Sequence, residues 1–255
     1  MGRGANTVSQ PVVSNRLSGF KKPEELTPAQ ERVLSFIQEL PDHGHESELL
    51  DAEIKFTLQR IASGDIWDIF RESSPQLSET LQQLIDTQKT YAGMPLQTKA
   101  VEYYVGSGYR EINKGLRRQI KLSGEVDHYH QALSQLFSAL PTLQSDLLVT
   151  RRIDKNEAAE FGFSKVSIDT MYSGVEITER GYLSTSANIL RLGPSAEQIS
   201  MLIVVPAGSR ALAVQAFDAW TPDKEVLLPP DSKLQVEHRR EHSDGAVSLF
   251  ARLLN

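Results

Sequence analysis

Two carboxylates stand two residues apart in the run Thr221-Pro-Asp-Lys-Glu-Val-Leu-Leu-Pro229, at the point where a turn pattern becomes a strand pattern. Residues i and i+2 of an extended segment point the same way, so Asp223 and Glu225 are expected to face one cleft. Val226 and Leu228 then hold positions that are available to a core. Paired acids on one wall suit chemistry that builds positive charge on a substrate, such as cleavage of a bond to an anomeric carbon. Taken alone, the same pattern is also typical of a solvated loop.

Guanidinium and hydroxyl groups follow two other strand-like runs. Arg151 and Arg152 come directly after Leu147-Leu-Val-Thr150, and arginine suits phosphate because its planar fork donates paired hydrogen bonds at fixed charge. Ser184-Thr-Ser186 ends the second run, where hydroxyls can orient a carboxylate or a ribose. No Gly-x-Ser-x-Gly elbow surrounds these serines, which argues against a serine nucleophile. The alternative for both groups is a polar strand end in solvent.

A helical pattern further upstream carries an aromatic ring and a carboxamide on one face. Gly106 and Gly108 separate two helical patterns, and Tyr109 and Asn113 lie one turn apart in the second. Together they suit a flat heteroaromatic group with a polar neighbour. Alternatively, Tyr109 is a core ring with a bonded hydroxyl.

No metal site is expected. The segment from His238 to His242 reads His-x-x-Glu-His, a zinc pattern that works only on a helix, where residues four apart converge. Here it lies between a strand pattern and the turn Ser243-Asp-Gly245, so the histidines are not predicted to share a metal.

The composition excludes several classes of protein. The chain has 255 residues, 40% of them apolar and 24% charged, which is ordinary for a globular protein of one large domain or two small ones. The net charge of −6 argues against nucleic acid as the main partner. No run approaches the roughly 18 to 20 apolar residues that a membrane-spanning helix needs. Without cysteine, disulfides, thiolate catalysis and cysteine-bound zinc are excluded.

The order of the patterns predicts an α+β fold, with a helical subdomain packed on a mainly antiparallel β core. Helical spacing of apolar residues predicts six helices, beginning at a capping Thr27 and then near residues 49–61, 77–85, 97–104, 110–120 and 130–140. Strands are predicted at residues 147–150, 181–186, 199–205, 211–216, 226–228, 233–237 and 247–254. We therefore expect a disordered leader at residues 1–26, a helical subdomain at 27–140 and a β-rich core at 141–255, with 27–255 forming one catalytic domain.

The leader is rich in serine and lacks acidic residues up to Pro23. It has no apolar block of the kind found in a secretory signal peptide. Its composition resembles the leaders that type III secretion systems recognise, and a disordered tail is the alternative.

Taken together and in this order, the segments resemble the R-S-E class of mono-ADP-ribosyltransferases, which includes clostridial binary-toxin components and bacterial type III effectors. The resemblance covers roughly residues 95–254. It rests on Tyr104 to Arg117, which contains Gly-Tyr-x-x-Ile-Asn-x-x-Leu-Arg, on the arginine at a strand end, on Ser184-Thr-Ser186, and on Asp223-Lys-Glu-Val-Leu-Leu-Pro229. It implies a β-sandwich core of the ADP-ribosyltransferase type, with NAD as substrate, no metal, and release of nicotinamide.

The resemblance also implies roles for individual residues. Arg151 would hold the phosphate and nicotinamide ribose of NAD, and the pocket would be lined by Arg152, Tyr109 and Asn113. Ser184 would orient the catalytic acid Glu225, with Thr185 as its supporting neighbour.

The implied acceptor is an arginine of a host protein, since a guanidinium needs a nearby carboxylate to become nucleophilic and Asp223 keeps that charge. Arginine-modifying members of the family usually have glutamate here, one methylene longer, and asparagine-modifying members have glutamine. Two alternatives stay open: a catalytically impaired protein that binds a partner through the same cleft, and an NAD glycohydrolase. The expected protein is a monomer, a secreted bacterial effector and virulence toxin that acts in the host cell cytoplasm.

Overall fold

The computed structural model describes residues 26–40, 45–62, 74–155, 174–188, 195–217 and 224–254. The predicted leader lies outside these residues except for its last position, and so does Asp223. Six α-helices and eight β-strands lie within the described part of the chain. None of these helices is long and apolar enough to cross a membrane.

The helices occupy the first half of the chain, as predicted. They are α1 (Pro28–Gln38), α2 (His45–Ala62), α3 (Pro75–Gln88), α4 (Pro95–Tyr103), α5 (Tyr109–Arg118) and α6 (Gly124–Ala139). Three of them start with proline, whose fixed φ suits a first helical position. The Ser74 hydroxyl caps α3 by accepting a hydrogen bond from the Leu77 amide at 3.3 Å.

A π-helical turn, Tyr104–Gly108, joins α4 to α5. Gly108 is required there, because an added Cβ would lie 2.1 Å from the Tyr103 ring. Single π turns inside helical segments occur frequently at functional sites. This one places the Tyr104 ring inside the protein, where the side chain is buried.

The second half folds into eight strands. They are β1 (Leu147–Asp154), β2 (Glu176–Glu179), β3 (Leu183–Ser186), β4 (Gln198–Val205), β5 (Leu212–Ala213), β6 (Glu225–Leu228), β7 (Ser232–Glu241) and β8 (Val247–Leu254). Their order across the sheet is β2-β7-β8-β4-β1-β3-β6-β5. Every neighbouring pair is antiparallel except β4 and β8.

Two sections of this sheet meet at one residue pair. A five-stranded section ends at β1, a three-stranded section begins at β3, and the two are connected by the pairing of Thr150 with Ser186. The Thr150 hydroxyl strengthens the junction by donating to the Ser186 carbonyl oxygen at 3.2 Å and to that of Asn188 at 2.9 Å. The division fits the predicted sandwich core.

Helices cover both sections and bury two apolar clusters. The larger cluster packs α1, α2 and α3 against the five-stranded section and also contains Val226 and Leu228. The second packs α4, α5 and α6 against Tyr182, Leu212 and Leu227. Strand β6 therefore contributes alternate residues to two cores, which holds it from both sides.

Charged contacts attach α1 to the β7–β8 hairpin. Arg240 donates to the Ser35 carbonyl oxygen at 2.8 Å and to the Glu39 carboxylate at 2.6 Å. Arg32 pairs with Asp244 at 2.9 Å, in the turn that the sequence predicted between the last two strands.

The α+β fold is confirmed, and the differences from prediction concern strand limits. Strand β2 was not predicted, and β1 and β7 run four residues further than expected. The second half of the expected strand at 211–216 is part of a 3₁₀ turn, Val214–Phe217. The histidine-containing segment after Glu237 is thus largely strand, with a bulge between Val236 and His238.

Candidate active site

A cavity of about 570 Å³ opens where the two sheet sections meet. Four of its lining residues come from the strands and the turn before β3, namely Arg151, Tyr182, Ser184 and Glu225. The others come from the π turn and α5. The volume lies within the range of about 300 to 1,000 Å³ that is usual for small-molecule sites.

Ser184 and Glu225 are joined by a short hydrogen bond inside this cavity. Strands β3 and β6 pair Ser184 with Leu227 and Ser186 with Glu225, so Ser184 and Glu225 are diagonal neighbours on one face. The Ser184 hydroxyl donates to Glu225 Oε1 at 2.5 Å. The hydrogen bond fixes the rotamer of the carboxylate and directs it into the cavity.

The backbone around Glu225 is held by a glutamine from the 3₁₀ turn. With its amide oxygen turned toward β6, Gln215 accepts from the Lys224 amide at 3.2 Å and the Glu225 amide at 2.9 Å, and its NH₂ group donates to the Glu225 carbonyl oxygen at 3.2 Å. Lys224 has a φ of 49°, in the left-handed region. The extended geometry assumed for Asp223 and Glu225 therefore ends at Lys224, and the placement of Asp223, which lies outside the described residues, stays a prediction.

Arg151 reaches the cavity from the neighbouring section. Its Nη1 donates to the Ser184 carbonyl oxygen at 2.9 Å, which links β1 to the residue that contacts Glu225. Burial lowers the pKa of the Arg151 guanidinium, with a further lowering by Arg117, while Tyr104, Glu179 and Glu225 act in the opposite direction. Arginine remains charged under such shifts because its ordinary pKa is above ~12.

Helix α5 gives the cavity a cationic wall. Arg110, Lys114, Arg117 and Arg118 all line it, at spacings of three, four and seven to eight residues that place them on one helical face. Tyr109 and Asn113 line the same cavity, as their spacing suggested. Glu225 is the only carboxylate among the described lining residues, so the wall suits an anionic ligand.

Asn113 is used mainly to attach α5 to the segment before β3. Its side-chain oxygen accepts from the Tyr182 amide at 2.9 Å, and its NH₂ group donates to the Tyr182 carbonyl oxygen at 3.2 Å and to the Tyr104 hydroxyl at 3.0 Å. Burial raises the pKa of Tyr104, and it raises that of Tyr182 to about 12, so both phenols stay protonated. This bonding fixes the approach to Ser184, two residues further on.

Sequence reasoning did not find Glu179. Its side chain is fully buried and accepts from Arg117 Nε at 2.9 Å and from the Gly181 amide at 2.6 Å. Gly181 leaves room for this contact, because an added Cβ would lie 2.9 Å from Asn113 and 3.0 Å from Glu179. The acid and its arginine are 62 positions apart, so spacing alone gave no signal.

Two predicted ligand residues lie elsewhere. Arg152 follows Arg151 on β1 and is exposed, and Thr185 follows Ser184 on β3 and is buried. Neither lines the cavity, because consecutive side chains of a strand point to opposite faces. The Thr185 hydroxyl donates to the Val226 carbonyl oxygen at 2.6 Å and so supports the β3–β6 pairing.

The two histidines of the zinc-like pattern have separate surroundings. The His238 ring lies 5.8 Å from the Phe36 ring, while His242 Nε2 lies 2.8 Å from the Ser248 hydroxyl. Within the residues that the structure describes, no group of three potential ligands is arranged to hold a metal ion.

A family model described as ADP-ribosyltransferase exoenzyme matches residues 73–251, which include every lining residue of the cavity. The chain belongs to this family. The match and the fold together confirm the predicted R-S-E class of mono-ADP-ribosyltransferases. Among curated proteins, none is similar enough in sequence to be matched to this chain.

Solved structures share the fold at low sequence identity. The C3 exoenzyme of Clostridium limosum is 20% identical over 69% of this chain and 94% of its own, with a TM-score of 0.54. An ADP-ribosyltransferase of Clostridium botulinum is 20% identical over 70% and 96%, with a TM-score of 0.57. Exoenzyme S of Pseudomonas aeruginosa, in complex with human 14-3-3 protein beta and bound to carba-NAD, is 15% identical over 82% and 88%, with a TM-score of 0.52.

Proposed function

We propose that this protein is an NAD-dependent mono-ADP-ribosyltransferase that transfers ADP-ribose to an arginine of a host protein and releases nicotinamide. The observation that carries the proposal is the 2.5 Å hydrogen bond from Ser184 to Glu225 inside a cavity that Arg151 also lines. Family membership supports the choice of substrate, as do the exoenzyme S relative bound to carba-NAD and a further relative, from S. aureus, solved with NAD.

The geometry suits cleavage of the bond between nicotinamide and ribose. As this bond breaks, positive oxocarbenium character grows on the ribose, and a fixed carboxylate stabilises that charge more in the transition state than in the ground state. In the proposed mechanism Glu225 supplies this carboxylate and hydrogen-bonds the ribose 2′-hydroxyl. Ser184 keeps the carboxylate oriented, so little reorganisation is needed when the charge develops.

The phosphates of NAD would lie against the arginines. Arg151 and the cationic face of α5 line the same cavity, and guanidinium groups bind phosphate through paired hydrogen bonds. Nicotinamide leaves as a neutral group once the bond is broken, and the acceptor then attacks the exposed carbon.

Asp223 is the proposed base for an arginine acceptor, two positions before Glu225 in sequence. In the proposed mechanism the Asp223 carboxylate acts as general base: it accepts the proton that the guanidinium loses as its nitrogen bonds to the ribose carbon. The host-protein acceptor, the virulence role and action in the host cytoplasm as a secreted effector belong to the same proposal. They are supported by the exoenzyme family and by the relative solved with a human protein.

The proposal is tested by comparing the wild type with Glu225→Gln, which keeps the size and polarity of the side chain but removes its charge. We expect the rate of nicotinamide release from NAD to fall by about 10²- to 10³-fold, the usual effect of losing one preorganised charge-stabilising group. Glu176→Gln, at an exposed position of the edge strand β2, is the matched control and should release nicotinamide at the wild-type rate. Equal rates for the wild type and Glu225→Gln would refute the proposal.

Transfer is distinguished from hydrolysis by its product. The wild type, labelled NAD and a host-cell lysate should give a modified protein band whose peptides carry ADP-ribose on arginine. Nicotinamide release without any modified protein would identify an NAD glycohydrolase, and a folded protein that releases none would be a binding protein.

A further inference from the structure

Glu179 is a buried carboxylate that the proposed chemistry does not use. It is the last residue of β2, and its side chain has 0% exposure. Burying a carboxylate is costly unless charge and hydrogen bonds compensate it. Here Arg117 Nε and the Gly181 amide supply both, at 2.9 and 2.6 Å.

Both partners of Glu179 lead to the cavity. Arg117 lines the cavity, and its side chain is only 14% exposed, so the guanidinium has few other positions to adopt. Gly181 begins the short segment that ends at Ser184, the residue that contacts Glu225. The Glu179 carboxylate therefore contacts both the cationic wall, through Arg117, and the segment that leads to Ser184, through Gly181.

Glu179 also balances charge between two arginines of the wall. Arg117 and Arg151 both line the cavity, and repulsion from Arg117 adds to the burial that lowers the pKa of Arg151. Glu179 opposes this repulsion. A buried negative charge behind the wall thus offsets part of the repulsion between these two guanidinium groups.

We propose that Glu179 is a positioning residue, which fixes the Arg117 guanidinium in the cavity wall and so preorganises the site for the diphosphate of NAD. The inference rests on the proposed function. Glu179 touches neither substrate nor reacting atoms and acts through Arg117.

Two physical effects make opposite predictions for removal of the Glu179 charge. If Glu179 only adds negative potential near an anionic ligand, its neutralisation strengthens NAD binding and KM falls. If it holds Arg117 in place, its neutralisation frees the guanidinium and KM rises. The sign of the change in KM therefore separates positioning from simple electrostatics.

The test is steady-state nicotinamide release by the full chain carrying Glu179→Gln. Since a hydrogen bond to a charged group is worth a factor of about 10 or more, we expect KM for NAD to rise about tenfold and kcat to change less than about threefold. Glu176→Gln on the same strand is the control and should keep both constants. An unchanged or lower KM for Glu179→Gln would overturn the inference.

A double-mutant cycle shows whether the effect passes through Arg117. Arg117→Gln alone should raise KM, and adding Glu179→Gln to it should raise KM no further, because the positioned group is already gone. A purely structural effect of Glu179 would persist in the Arg117→Gln background. If each substitution raised KM by its own factor and the two factors multiplied in the double variant, the proposed role would be contradicted.

Glu179→Asp serves if the glutamine variant does not fold. It keeps the buried charge but shortens the reach to Arg117 and Gly181, so a folded Asp variant should also show a raised KM. A wild-type KM in this variant would overturn the inference. If the wild type itself neither binds NAD nor releases nicotinamide, the proposed function fails instead, and the two failures are distinguishable.

Discussion

The Ser184 hydroxyl orients the Glu225 carboxylate by donating a hydrogen bond to it, and strand β3 holds this hydroxyl in place. The carbonyl oxygen of the same serine accepts from Arg151. Ser184 is thus bonded to the acid through its side chain and to the arginine through its main chain. A residue with two such contacts sets the geometry of both partners.

Substitution of Ser184 by alanine tests whether its hydroxyl orients the Glu225 carboxylate. Removing a hydrogen bond to a charged group should lower kcat for nicotinamide release by about 10- to 100-fold. The melting temperature should stay near the wild-type value, because Ser184 is only partly buried. Ser138→Ala on α6 removes an exposed hydroxyl bonded to its own helix and is the control. A wild-type kcat in Ser184→Ala would show that the acid needs no orienting hydroxyl.

Residue types and spacing in the sequence predicted part of the site, and the residues that they did not predict share physical causes. The pattern led to Arg151, Ser184, Glu225, Tyr109 and Asn113, and all five line one cavity. Arg152 and Thr185 were predicted to belong to the same site, but each follows a lining residue on a strand, and side chains alternate between the two faces of a strand. Glu179 was missed because its chemistry depends on a partner that only folding brings near.

At the scale of elements, the turn between β2 and β3 determines how α5 docks. Gly181 lies in that turn, where an added Cβ would be 2.9 Å from Asn113 of α5 and 3.0 Å from Glu179. The close approach allows Asn113 to bond both backbone groups of Tyr182. A side chain at position 181 would have to push the helix away from the strand.

Gly181→Ala is therefore expected to destabilise the protein and reduce activity together. The added Cβ would lie 2.9 Å from Asn113, and overpacking of this kind typically costs about 1 to 3 kcal/mol. Chemical denaturation and nicotinamide release measure the two effects. Gly93→Ala is the matched control, since its Cβ meets nothing within 4 Å. Equal stability of both variants would show that the turn can relax freely.

Elements with strong periodicity were predictable, and short or charged strands were not. The apolar spacing located all six helices because each buries one face. Strand β2 has only four residues, Glu-Ile-Thr-Glu, and the last part of β7 reads His-Arg-Arg-Glu. Polar composition suggested a loop at β7, whereas pairing with β8 and contact with α1 stabilise strand geometry there.

At the scale of the whole molecule, three partly or fully buried histidines should make stability depend on pH. Burial lowers the pKa of His130, His238 and His242 below the ordinary value of about 6.5. The unfolded chain then binds more protons than the folded one as the pH falls past that value. The stability is fully present above pH ~6.5 and is lost as the pH falls through the lower folded values.

We expect the melting temperature to decrease between pH 7.5 and pH 5.5, as measured by thermal unfolding. The double variant His238→Gln/His242→Gln should show a smaller decrease over this interval, because two of the three histidines with a lowered pKa no longer titrate. His128→Gln, at an exposed position of α6, is the control and should retain the wild-type dependence. An identical slope in the double variant would assign the pH dependence to other groups.

The diagonal placement of Glu225 on the β3–β6 ladder has an evolutionary consequence. The position of Glu225 is set by its strand pairing with Ser186 and by hydrogen bonds with the Gln215 side chain. Ser186 and Gln215 both lie outside the segment 218–223 that precedes Glu225. That segment can vary in length and sequence among related proteins while Glu225 keeps its position on the β3–β6 ladder. Under the proposed function, this segment also carries Asp223, the proposed base for the acceptor, so the preference for an acceptor can change while the carboxylate that cleaves NAD stays in place.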